Sequence, residues 1–171
     1  MYIVVNRFAF CAISVALFLF GKAAIIAQDD PFLIKDSGVG RIHLGMTVDE
    51  FLAAYDRSQV RLVDLQLEGM FSPAIKVQSN GHPLLTAEID HGWVISRIQL
   101  EDRRFHTAEG ISIGSTFAEI QRAYPRLKAL MGEGQWFGRV DKRALSFGLD
   151  GGDIEVPPTN ESKVTSILIV R

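Results

Sequence analysis

The chain opens on one nearly unbroken apolar run and then settles into shorter rhythms. Phe8 to Phe20 (FAFCAISVALFLF) is apolar almost throughout, preceded by Arg7 and followed by the small-residue segment GKAAIIA. A charged residue, an apolar core too short to span comfortably and small residues in that order predict a secretory signal over residues 1–27, cut after Ala27. Tyr2 to Val5 could lengthen the run toward the ~20 residues of a retained anchor. Asn6, Arg7 and Lys22 interrupt it, so no stable membrane span is expected once the signal is removed. Residues 28–38 read as a linker.

Beyond residue 38 the pattern alternates between helical and strand periods, and it does so twice. Gly45, Thr47, Glu50, Ala54 and Tyr55 fall on Gly114, Thr116, Glu119, Ala123 and Tyr124 at an offset of 69 residues, and Ile95 to Ile98 falls on Val164 to Ile167 at the same offset. Two separated patches sharing one offset predict a duplicated unit, 39–107 and 108–171. Each unit enters its helix through a capping box, Thr47-x-x-Glu50 and Thr116-x-x-Glu119. There the hydroxyl accepts from a first-turn amide and the carboxylate reaches back to the cap N–H. Asp56-Arg57-Ser58 and Pro125 close these helices about three turns on. Phe51, Ala54 and Tyr55, and likewise Ile120, Ala123 and Tyr124, give each an apolar stripe.

Period-two alternation follows. Val63, Leu65 and Leu67, then Ile75 and Val77, then Leu85, Ala87 and Ile89, then Val94, Ile98 and Leu100 predict a four-stranded meander, with Asn80-Gly81 as a tight hairpin turn. In the second unit Leu145, Phe147 and Leu149 predict one strand and Val164 to Val170 another, with 150–160 as loop and one or two strands left open. The expected fold class is α+β: two tandem repeats, each a short capped helix packed on an antiparallel β-sheet.

Charge and composition remove several functions. With 18 Lys and Arg against 20 Asp and Glu and no basic run, nothing favours a nucleic-acid partner. The one cysteine is Cys11, inside the apolar run, behind Phe10 where a lipoprotein needs a small residue. The chain beyond residue 27 therefore has no thiol for a disulfide or a thiolate site. No pair of the four histidines, His43, His82, His91 and His106, has the helical spacing of a metal motif. The capping boxes account for Glu50 and Glu119. Asp150 and Asp153 lack the oxygen count of a calcium loop. Neither a nucleophile elbow nor a phosphate loop is present, and no metal or cofactor is expected.

The paired openings Gly45-Met46-Thr47 and Gly114-Ser115-Thr116, each with an acidic residue and a short helix feeding a sheet, resemble the tandem-repeat secreted β-lactamase inhibitor proteins. They also resemble the single-repeat small outer-membrane assembly lipoproteins. The resemblance implies a helix-on-sheet module that binds another envelope protein. On that basis the chain is expected to be a periplasmic or secreted, non-enzymatic, protein-binding or inhibitor-like module. Alternatives are a small hydrolase or metal-dependent enzyme with its site between the repeats, or a structural envelope component. Aromatic and arginine residues outside the alternating core are the candidate contacts: Trp93, Arg103, Arg104, Phe105, Trp136 and Phe137.

Overall fold

The computed structural model describes residues 30–67, 70–152 and 155–170; the expected signal and its cleavage site lie outside them. Eleven strands and two short helices follow the chain as β1 (Ile34–Lys35), β2 (Gly38–Val39), β3 (Ile42–His43), α1 (Val48–Ala53), β4 (Val60–Leu67), β5 (Met70–Ser79), β6 (His82–Ile89), β7 (Ile95–Leu100), α2 (Phe117–Ala123), β8 (Lys128–Gly132), β9 (Gln135–Arg139), β10 (Leu145–Leu149) and β11 (Val164–Val170). Residues 34–39, astride the boundary drawn between linker and first unit, pair as β1 and β2, and β3 completes a three-stranded sheet. A Cβ on Gly38 would lie 2.1 Å from the Ile42 carbonyl oxygen, so only glycine lets these strands approach.

The other eight strands form one antiparallel sheet in the order β4-β5-β6-β7-β11-β10-β9-β8, which overturns the expected fold class. The protein is mostly β, without two separate helix-capped sheets. The physical reason lies at the junction. Ile98 pairs with Ile169 and Leu100 with Ile167, so the inner edges of β7 and β11 satisfy each other's backbone groups instead of facing water. The helices are also shorter than expected, at 6 and 7 residues, and neither is long enough to form a layer of its own. Both capping boxes are present: Thr47 and Thr116 each accept from the amide three residues on, and Glu50 and Glu119 return to the cap N–H at 2.8 and 2.7 Å.

A single core lies on one face of the large sheet. Ile75, Leu85, Ile98, Leu100, Ile167, Ile169 and Phe147 point into it from the strands, Phe51 and Ile120 from the helices, and Ile34, Val39 and Ile42 from the small sheet. The ladders shift register at Val77/Gln78, Glu88/Ile89 and Gly148/Leu149, and breaks of this kind add local twist to a sheet. Two strands missed in the sequence, β8 and β9, meet at a two-residue turn where Glu133 and Gly134 take positive φ, 49° and 74°. The Asn80-Gly81 turn has the same form, with φ of 52° and 79°. Both fit the twist of a tight hairpin.

Candidate functional site

The helix-bearing face of the sheet is covered at its centre and bare at one end. Leu62 stands opposite Ile75 and Asp64 opposite Pro73, and alternation puts Leu62, Pro73 and Phe71 on that same face. Ile75 is buried in the core, whereas Leu62 and Phe71 are 68% and 75% exposed. Ala74 pairs with Glu88, and so Phe71 lies at the end of the sheet where the β6–β7 turn carries Trp93. Trp93 is 66% exposed, and its φ is +57°, a region costly for any residue with a Cβ.

The turn that holds Trp93 is firmly made. Asp90 receives the Trp93 amide on its carbonyl at 3.0 Å and the Gly92 amide on its carboxylate at 2.8 Å. The Trp93 carbonyl in turn accepts from Val48 N–H at 3.1 Å, satisfying one of the unpaired donors at the start of α1. The indole is thus presented outward from a backbone that the helix and the hairpin both fix.

The remaining residues singled out by sequence have varied surroundings. Phe105 is 2% exposed and packs edge-on against Phe32 at 5.3 Å, so it belongs to the core. Arg104 hydrogen-bonds both carboxylate oxygens of Asp102 at 3.0 Å and lies 4.5 Å over the Phe32 ring. Arg103 is exposed. Trp136 is half-buried against the core, with the Gly152 backbone close over it; a Cβ there would meet its ring at 2.9 Å. Phe137 faces the opposite side of the sheet.

That open face has its own chemistry. One row of paired residues crosses all eight strands, from Arg61 and Lys76 at one edge, through the neutral Thr86, Gln99, Leu168 and Ser146, to Arg139 and Lys128 at the other. Above it the β8–β9 hairpin folds back far enough for Glu133 to take both terminal nitrogens of Arg97, at 2.6 and 2.9 Å. Arg97 Nε is buried with no hydrogen-bond partner among the described residues, and Glu88 lies 3.5 Å from it. The hydrogen bond from Arg97 holds the Glu133 carboxyl below its ordinary range. Burial pushes Glu88 up despite Arg97 beside it.

One polar cluster among the described residues is satisfied from within. Glu109, Tyr124 and Arg143 share a cleft of about 310 Å³. The Tyr124 hydroxyl donates to Glu109 at 2.6 Å, and Arg143 holds the other carboxylate oxygen at 3.3 Å. Burial, reinforced by Glu109, pushes the Tyr124 phenol far up, which keeps it a donor. Burial acts against Glu109, yet the Tyr124 hydrogen bond and its fellows hold its carboxyl low. Both partners are spent on each other. Among the described residues no three His, Cys, Asp or Glu side chains converge as a metal site, and no helix is long and apolar enough to cross a membrane.

No protein-family model matches the chain, and neither does any functionally curated protein. A solved structure does: the uncharacterized protein yfeY from Escherichia coli, at a TM-score of 0.61 and 19% identity, over 80% of this chain and 97% of that one. The likeness is one of fold.

Proposed function

We propose that this protein is an exported, non-enzymatic binding module of the bacterial envelope that docks another protein on the bare end of its helix-bearing face. The observation that carries this reading is Trp93: a large aromatic, two-thirds exposed, on a backbone with φ +57° where glycine would be easier. Costly local geometry combined with exposed aromatic surface is what a recognition anchor requires and what stability alone does not. Phe71, at the same end of the sheet, and Leu62 are further exposed apolar residues on that face. The apolar run at residues 8–20 and the small residues after it support export, and the likeness of the two Gly-x-Thr openings to envelope inhibitor and assembly proteins supports a binding role.

The test is a pull-down of full-length tagged protein from envelope extract, quantified by mass spectrometry. Phe71→Ser and Trp93→Ala are compared with Val156→Ser, an exposed apolar residue in the loop between β10 and β11. A partner lost in the first two and kept in the third is expected. A partner kept by all, or none under several extraction conditions, would overturn the reading.

A further inference from the structure

The large sheet is open at both sides, and its β8 edge is built to receive something. β8 pairs only with β9, and no backbone group of Lys128–Gly132 is hydrogen-bonded outside that ladder among the described residues. The two-residue turn makes Gly132 and Gln135 a hydrogen-bonded pair, and alternation from there turns the N–H and C=O groups of Ala129 and Met131 outward. An edge of this kind is a template for another strand.

The side chains on the open face say which strand. Lys128 stands opposite Arg139 and Leu130 opposite Phe137. Neither cation has an ionic or hydrogen-bond partner among the described residues. Like charges directly opposite disfavour each other, so the pair is left for an anion. One rung on, Leu130 is 46% exposed and borders a cleft of about 260 Å³ shared with Met131, Phe137, Leu168 and Val170. The Glu133–Arg97 pair pins the hairpin over the sheet, so edge and cleft are already formed.

We propose that β8 takes up an extended acidic segment of a partner protein as a ninth strand. A carboxylate on the incoming strand sits on Lys128 and Arg139. An apolar side chain two residues away, on the same face by the period of a strand, enters beside Leu130 and Phe137. The recognised pattern is an acidic residue, any residue, then an apolar one, in either direction. A second copy offering its β4 edge would bring Arg61 and Lys76 instead, a basic pair against a basic pair. This surface is separate from the Trp93 face and does not depend on it.

The experiment uses the full chain and a fluorescein-labelled seven-residue peptide in which threonine alternates with two glutamates and then a valine, read by anisotropy. Saturable binding is expected. It should weaken at least tenfold in Ala129→Pro, whose lost N–H faces away from β9, so the hairpin keeps its ladder. It should weaken similarly in Lys128→Glu with Arg139→Glu, a variant that keeps the backbone edge if the proline disturbs the fold. A lysine-for-glutamate peptide should bind only the charge-reversed protein. Phe71→Ser should leave all of this unchanged. Absence of saturation, equal binding of the two peptides, or full binding to the variants would overturn the proposal. So would a wild-type dimer in sedimentation that Ala129→Pro abolishes, since the edge would then belong to a second copy.

Discussion

Replacing Trp93 by glycine and by alanine separates what its backbone costs from what its side chain contributes. Both changes remove the same indole. About a third of a side chain of ~200 Å² leaves contact, worth at most about 1.7 kcal/mol at ~25 cal/mol/Å² and less against a compact unfolded chain. The two differ only in the main chain. At φ +57° alanine keeps a strain of about 1–2 kcal/mol, while glycine is free of it and loses about 0.5–1 kcal/mol in chain entropy. Trp93→Gly should therefore be the more stable by about 0.5–1 kcal/mol, melting roughly 2–3 °C higher in a chain of this size. At an ordinary position the order is reversed. Urea unfolding followed by circular dichroism, with Trp136 as the remaining indole, measures the difference. Alanine equal to or above glycine would mean that Trp93 does not hold the left-handed conformation in solution, and the main support for its role as an anchor would fall. Both variants should lose a partner equally, because binding depends on the indole.

The Glu133–Arg97 pair joins a side chain 39% exposed to one 14% exposed; a double-mutant cycle with Glu133→Gln and Arg97→Met should give a coupling of about 1 kcal/mol, reduced in 1 M salt. Because Arg97 lowers the Glu133 carboxyl, that group's stabilisation is complete above the unfolded value and is lost as pH falls through the folded one. Glu133→Gln should thus flatten the acid limb of a stability profile below the ordinary glutamate value of 4.5, while Glu88, raised by burial, works the other way and keeps the limb shallow. Thr47→Ala and Thr116→Ala should each cost about 1 kcal/mol in urea unfolding, and a cost near zero at either would mean that its capping box does not form in solution.

What could be read from the letters was local. The capping boxes act across three residues and the Asn80-Gly81 turn across two, so spacing alone identified them. The pairing of Leu100 with Ile167 leaves no such trace, because alternation tells which face a strand buries and not which strand lies beside it. That gap put β4–β7 and β10–β11 in two separate sheets in expectation, where they share one eight-stranded sheet. β8 was missed because Leu130 lies on the open face and Gly132-Glu133-Gly134 has the composition of a loop. Phe105 follows two arginines in a segment without strand period, and nothing there indicated that it turns inward while Arg104 stays out. The Arg97–Glu133 contact, 36 residues apart in sequence, was likewise invisible.

The last strand of the chain, β11, lies in the middle of the large sheet, between β7 and β10. α2 and β8–β10 all intervene in sequence between β7 and β11, so the β4–β7 half can close its own hairpins while one side of Ile98–Leu100 stays unclaimed until that distant segment arrives. Pairing across so long a loop is slow, and an unpaired border is a template for other strands while it lasts. Escorting factors that recognise unpaired strands would have their opportunity in that interval.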